Sequence, residues 1–565
     1  MNSETRSCQN CKKDFIIEPD DFLFYEKIKV PPPTFCPECR IQRRFSFRNE
    51  RTLHRNKCAK TGKSLISCFS SQSPFIIYDR DIWWGDNWDP LLSGQDYDFS
   101  KPFFEQYREL LIKTPHPNLF IGKCKDTFYG NYIGEFKNSY LVSASWLGEN
   151  ILYASRCNDN KDCVDMFSTV NCEFCYDNIT SFKCYETFFS QDTVSCVSSY
   201  FLYDCKNCSN CFGCTNLRNK SYNIWNRQYT KEEYDKKIKE FNIGNYENFV
   251  KIKKEFEQFK LKAIRKFANI INSHNSSGNN ISHAMNANYC FDVKNNIKDC
   301  KFLINAVDNL SDSYDGYGVG ANTNLLYEGM DSGVNGSRQL FVATCWECLE
   351  TEYCYNCHGC NNIFGCVGLK KRSYCIFNKQ YSKEEYLFLR KKIIEQMQEM
   401  PYIDKKGNIY KYGEFFPIEI SPFGYNETVA SDYYPLSKDE ILINKYNWSD
   451  RDKSENKITH ISKDLLEDIK NTQKDILDII IECEGCKKAY KIIELEYSFL
   501  KKFNLPIPRK CFECRHQERL SKVNPSKLWH RSCMKEGCNN EFETSYSPDR
   551  PEIVYCEKCY QQEVY

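Results

Sequence analysis

From about residue 124 the chain is built of short apolar pieces separated by Asn, Asp and Ser: SYLVSAS, ILYASRC, CVDMFSTV, CYDNIT, CYETFFS, CVSSYFLYDC. Their starts fall roughly every 9 to 12 residues. Pieces of this length at this spacing predict strands in an all-β arrangement. Because Cys, Tyr, Phe and Ser shuffle through equivalent places, the pattern predicts a β-solenoid, in which stacked coils bury a continuous core. A second such block runs from about Tyr289 to Tyr381. The blocks end alike: residues 203–234 match residues 355–386 at an offset of 152.

Helical patterns punctuate these blocks. Thr230-x-x-Glu233 and Ser382-x-x-Glu385 are capping boxes, which satisfy the exposed N–H groups of a helix start. Phe249, Ile252, Phe256, Phe259, Ala263, Phe267 and Ile270 keep a 3-4 spacing and predict one apolar helix stripe, packed on a solenoid end or on the other long helix. NSHNSSGNN, 272–280, reads as a flexible break. FFEQYRELL predicts a short helix ended by Pro115 and Pro117, and a further helix is predicted near 463–480.

The fold class expected is therefore mainly β with α insertions: two related solenoid-like repeat blocks, amphipathic helical spacers and terminal zinc ribbons. The boundaries are 1–57 for a ribbon with a basic helix, 58–123 for a degenerate ribbon and connector, and 124–229 for the first repeat block. A helical spacer follows at 230–280, the second block at 281–381 and a helix at 382–400. An irregular linker with a helix spans 401–475, and two ribbons close the chain at 476–524 and 525–565.

The ribbons come from the cysteines. Cys8-x2-Cys11 with Cys36-x2-Cys39 recurs as Cys483-x2-Cys486 with Cys511-x2-Cys514, shifted by 475. Two CxxC pairs aim four thiolates at one ion, the donor set of a closed structural zinc site. Cys533-x4-Cys538 with Cys556-x2-Cys559 makes a third set. Its N-terminal counterpart has Cys58 and Cys68, but Asp79 and Ile82 stand where the second pair belongs, which predicts a metal-free or degenerate site. The expectation is about three structural Zn2+ per chain.

Beyond cysteine, Lys12-Lys13 corresponds to Lys487-Lys488, Phe15 to Tyr490, Phe22 to Tyr497, Phe24 to Phe499, Pro33 to Pro508 and Arg40 to Arg515. The CxxC, spaced aromatics, Pro, CxxCR pattern resembles the zinc-ribbon family over about forty residues at each end. The whole chain also resembles Cys-rich zinc-ribbon repeat proteins of small-genome bacteria. That resemblance implies architecture and no activity.

The chain holds 34 cysteines among 565 residues, and its start lacks a basic region followed by an apolar run. This predicts a reducing, cytoplasmic setting in which CxxC means metal. No apolar run approaches the length of a membrane span, so no membrane partner is expected. In the middle, Cys205, Cys208, Cys211 and Cys214 invite an iron–sulfur reading. The last gap is two residues, no Pro follows, and the internal copy has Ile363 in place of Cys211 beside Cys357, Cys360 and Cys366. Buried packing is the favoured reading, although a three-residue spacing does not fit strand alternation.

A net charge of +1 excludes a uniformly basic nucleic-acid coat and leaves only local patches. Arg40 to Lys63 holds nine Lys/Arg and one acid, and Arg40, Arg44, Arg48, Arg51 and Arg55 predict one basic helix face. Arg509 to Arg531 is a weaker copy with seven cations and two acids. Arg40, Arg43, Arg44, Arg48, Arg51, Arg55, Arg515, Arg519 and Arg531 are thus candidate nucleic-acid contacts, with Phe45, Phe47 and Trp529 to stack on bases. The alternatives are a solvated charged surface and arginines packing the ribbon on its neighbour.

No Walker, HExxH or GxSxG motif is present, and Gly316-x-Gly318-x-Gly320 lacks the strand-to-helix context of a phosphate loop. Asp308, Asp312, Asp315 and Asp331 read as turn residues before they read as catalytic acids. The sequence therefore predicts no catalytic residue and a non-enzymatic zinc protein contacting nucleic acid or a nucleoprotein. The rivals are a protein–protein scaffold docking partners on the repeat blocks and, third, a carbohydrate-active enzyme.

Overall fold

The computed structural model describes residues 2–450 and 457–565; residues 451–456, inside the predicted irregular linker, lie outside it. The chain is mainly β with several helices. Its centre is two sets of parallel strands. The first runs through Asn131–Lys137, Ser143–Leu152 and Asn158–Val164, then Tyr185–Phe188, Val197–Tyr203, Ser209–Thr215 and Ser221–Ile224. Every parallel pairing in it joins residues twelve apart, from Ile121 with Ile133 to Cys211 with Asn223. The second is a ten-stranded sheet from Ile270–Ile271 to Lys379–Gln380. Its offset widens from eleven at Ile270–Ile281 to thirteen at Leu310–Thr323, then narrows to twelve at Ser337–Leu349.

The cysteine spacing follows from the backbone. Every third residue from Asp126 to Trp225 has positive φ, Gly213 among them. A twelve-residue rung therefore has four three-residue sides, and the residue after each left-handed corner points inward. Cys157, Cys163, Cys172, Cys175, Cys184, Cys196, Cys205, Cys208, Cys211 and Cys214 all occupy that place and are buried. The four central cysteines are the four inward residues of a single rung. Larger apolar residues such as Ile133, Phe136, Ile151, Met166 and Leu202 share these inward places with the cysteines, and any polar atom brought inside must be satisfied. Sγ of Cys163, Cys175 and Cys211 donates to the carbonyl two residues earlier at 3.1–3.4 Å. In the same column, Oγ1 of Thr187 and Oγ of Ser199 make the same bond at 3.2 and 2.8 Å. Cys175→Ser should accordingly cost at most about 1 kcal/mol, since the bond survives. Cys175→Leu should cost about 1–3 kcal/mol by overpacking. Denaturant unfolding of both variants checks this.

Left-handed corners are uncomfortable for most residues and least so for Asn and Asp. Accordingly Asp308, Asp312, Asp315 and Asp331 all sit at corners of the second sheet. Corner amides also ladder between rungs: Asn296 donates to Asn309, Asn309 to Asn322 and Asn322 to Asn335, at 2.9–3.1 Å. This corrects the reading of 272–280 as a flexible break. Asn275 and Asn280 are corners, donating to Asn286 at 2.9 Å and Asp292 at 2.8 Å, and the sheet starts at Ile270.

Both sheets end alike, in an antiparallel hairpin and a helix entered through the expected capping box: Lys231–Phe241 after Thr230, and Lys383–Glu399 after Ser382. Helix Tyr246–Leu261 carries Phe249, Ile252, Phe256 and Phe259, but the stripe does not continue. Ile264–Lys266 instead pairs in parallel with Ile553–Tyr555 of the last module, which leaves Ala263, Phe267 and Ile270 outside the helix. The helix expected near 463–480 is also absent. Two 3-10 turns, Ser462–Asp464 and Lys474–Leu477, flank a stretch whose carbonyls serve others. Lys501 Nζ takes those of Ile469, Lys470 and Thr472.

Outside the lumens, each sheet packs an aromatic face on a terminal module. Phe24 and Tyr25 of the N-terminal module sit against Tyr314 and Tyr327 of the second sheet. Phe512 of the C-terminal module stacks on Tyr153 of the first at 5.5 Å. The modules therefore cross over, first on second and second on first.

Candidate metal centres and their docking

Each module is a β-hairpin followed by a helix whose N-cap is a cysteine: Cys36 before Pro37–Phe45, Cys511 before Phe512–Leu520, and Cys556 before Glu557–Val564. A helix N-terminus favours a thiolate through its dipole and free N–H groups. The hairpin knuckle turns through a left-handed residue four positions after its first cysteine: Lys12, Lys487 and Gly537. The same N–H···S bond then closes each module. Cys36 N–H reaches Cys8 Sγ at 3.2 Å, Cys511 reaches Cys483 at 3.2 Å, and Cys556 reaches Cys533 at 3.3 Å.

The twelve predicted ligands gather as expected: Cys8, Cys11, Cys36 and Cys39; Cys483, Cys486, Cys511 and Cys514; Cys533, Cys538, Cys556 and Cys559. Within each set the sulfurs lie within 4.8 Å of one another. Cys11–Cys36, Cys483–Cys514 and Cys486–Cys511 are 3.7 Å apart, and Cys538–Cys556 is 3.9 Å. These are not disulfides. A tetrahedron with metal–sulfur bonds of about 2.3 Å has edges of about 3.8 Å, so the donor sets fit a four-coordinate thiophilic ion. Burial pushes the Cys483 thiol up, but N–H groups of Cys486, Cys511 and Gly485 outweigh it and bring it to about 7.

A fourth module has the same frame. His54–Lys57 pairs with Ser64–Ser67, Gly62 is the left-handed knuckle, and Asp79 N–H reaches Cys58 Sγ at 3.3 Å. Thr61, Asp79 and Ile82 occupy its other three ligand positions. Asp79 caps the short helix Arg80–Trp84, accepting from Asp81 N–H at 3.0 Å.

The arginines expected to meet nucleic acid are elsewhere. Their helix stops at Phe45, so Arg48, Arg51 and Arg55 share no face with Arg40 and Arg44. Arg40, Arg43, Arg44 and Arg48 are 1–3% exposed. Arg40 pairs with Asp315 at 2.9 Å; Arg44 spans Asp315 at 3.1 Å and Glu328 at 2.6 Å. Arg43 joins Glu328 at 2.6 Å and Glu414 at 2.8 Å. Arg48 joins Glu50 at 2.6 Å and Asp331 at 2.7 Å. Phe45 and Phe47 are buried too, and Trp529 is half-buried. Of the rest, Arg51 pairs with Glu513 at 3.2 Å, Arg531 is half-buried and Arg55 is exposed.

The C-terminal module repeats this clasp. Arg515 pairs with Asp165 at 2.6 Å and Glu496 at 2.9 Å, and Arg519 spans Asp165 at 2.9 Å and Asp177 at 3.1 Å. The geometry is the same at both ends. Arginines four apart on the module helix grip two corner carboxylates one rung apart, Asp165 and Asp177 or Asp315 and Glu328. In both, the first arginine also bonds the carbonyl five residues before it, Arg40 to Phe35 at 2.8 Å and Arg515 to Lys510 at 3.0 Å. Sequence reasoning missed Asp165, Asp177 and Glu328 and read Asp315 only as a turn residue. Their spacing of one rung was the available signal.

Among the described residues no helix is long and apolar enough to cross a membrane. No protein-family model matches the chain, and comparison with curated proteins finds no match.

Proposed function

We propose that this chain is a non-enzymatic zinc protein, an interaction scaffold in which tetrathiolate zinc modules lock two β-solenoids side by side. The observation that carries this is the clasp repeated at both ends. Two of the three metal-ordered helices, Pro37–Phe45 and Phe512–Leu520, each bury a pair of arginines against carboxylates of the sheet supplied by the other half of the chain. Parallel pairing at a constant offset of twelve in the first set, and of eleven to thirteen in the second, supports solenoids, and the sulfur spacing supports zinc. Cytoplasmic zinc–thiolate chemistry accords with the cysteine usage. The burial of Arg40, Arg43, Arg44, Arg48, Arg515 and Arg519 favours a scaffold over nucleic-acid contact through the module flanks.

Elemental analysis of protein purified without added metal tests the metal reading. About three zinc per chain and no iron is the expected result. Iron, or zinc well beyond three, would make the central cysteines ligands and overturn it. A pull-down from nuclease-treated lysate tests the scaffold: a defined protein partner should persist, and loss of all partners with nuclease would return the reading to nucleic acid.

A further inference from the structure

The two sheets enclose a cleft of about 1060 Å³. Its walls run in opposite directions: Arg156 of the first donates to Tyr317 Oη of the second at 2.6 Å, while Lys294 lies 5.4 Å from the ring of Phe182. One wall presents the column Trp146, Asn158, Val170, Phe182, Val194 and Lys206, one residue per rung. Five rung steps make roughly 24 Å at ordinary strand spacing.

Each wall carries a tryptophan, and one of them, Trp146, is laid flat by glycines. Gly122 and Gly134 precede Trp146 in its column. A Cβ on Gly134 would lie 2.2 Å from the indole, and one on Gly122 would lie 3.5 Å from it. The ring therefore rests on bare backbone, with the side chain 54% exposed toward the cleft. On the other wall Gly320 and Gly333 precede Trp346 in its column, but a Cβ on Gly333 would meet the Gly320 backbone and Thr323 rather than the indole, whose ring lies 4.7 Å from that of His358. Trp346 Nε1–H donates to the Asp331 carbonyl at 3.0 Å, which draws this indole back over the preceding rung.

We infer that this cleft binds a neutral linear oligosaccharide. Flat indole faces suit the C–H faces of sugar rings, and Tyr or Trp tips and amides suit hydroxyls. The amides are present as Asn158, Asn279, Asn280 and Asn305. The charges are mixed and disfavour a polyanion. Seven cations, among them Arg156, Lys183 and Lys294, interleave with five carboxylates, and two of the cations, Arg48 and Lys266, are already paired with Asp331 and Glu557. A nucleic-acid strand would need a wall of cations without such carboxylates. The site goes beyond the scaffold reading and rests on it only for the two sheets being held side by side.

The test is calorimetric titration of the full chain with four probes, cello-, chito-, xylo- and malto-hexaose, and with a fifteen-residue oligothymidylate. One hexasaccharide should bind at one site per chain. Trp146→Ala and Gly134→Ala should each weaken it about tenfold, the loss of one stacking platform. Trp146→Ala removes a half-exposed side chain and should leave the melting temperature unchanged, so its effect reads binding and not folding. No hexasaccharide binding, binding that ignores both substitutions, or preferential binding of the oligonucleotide overturns the proposal. Metal content is read separately, so failure here leaves the zinc reading standing, and the converse.

Discussion

Cys511→Ser should release one zinc per chain and unfold the C-terminal module while the N-terminal one persists. Apparent zinc-binding free energies of about 10–16 kcal/mol in small modules exceed what so short a hairpin and helix gain from burial. Cys511 is both ligand and N-cap of Phe512–Leu520, so its loss removes a thiolate and frees the helix start. That helix carries Arg515 and Arg519, and its departure strands Asp165 in a dry interface at 1% exposure. The damage should therefore spread into the first sheet. Elemental analysis should show one zinc fewer, and hydrogen exchange should show lost protection over 483–520 and around Asp165. Cys58→Ser is the control: it belongs to the module with Thr61, Asp79 and Ile82 at the other positions and should leave the metal count unchanged.

What the sequence revealed and what it hid divide by range. The ligand sets were legible because each knuckle is local, and a shift of 475 repeats two of them whole. The capping boxes were legible for the same reason. The central cysteines were not, since a period of three belongs to neither strand nor helix. It arises from four short sides closing one rung, visible beforehand only as the twelve-residue column Cys172, Cys184, Cys196 and Cys208. The apolar stripe beyond Leu261 was misleading because a partner strand from the far end, Ile553–Tyr555, takes the backbone that a helix would have used. For Arg40, Arg43, Arg44 and Arg48 the sequence offered both a nucleic-acid face and packing on a neighbour, and could not choose the packing that their burial favours for the longest-range reason. Glu328 lies 285 residues from Arg43 and Glu414 lies 371 away, so a basic run in sequence becomes a neutral interior in space.

Arg44→Met should lower stability by about 3–5 kcal/mol, the cost of removing one partner from a buried ion pair. Desolvation decides the magnitude. Asp315 and Glu328 have fully buried side chains, and both share the Arg44 guanidinium. Without it, Arg40 still serves Asp315 and Arg43 still serves Glu328, but each carboxylate loses a close charge-assisted contact. The double variant Arg44→Met with Glu328→Gln should recover part of the loss, because it removes one stranded charge along with its partner. Arg519→Met should reproduce the effect at the other end, where Asp165 and Asp177 take the same places. Denaturant unfolding reads the loss, and zinc content should stay at its wild-type value because no ligand changes. A surface arginine that touched nucleic acid would behave oppositely, leaving stability near wild type and reducing salt-dependent binding. The two clasps thus bind the halves of the duplication to each other, and their arginines answer to folding before any partner.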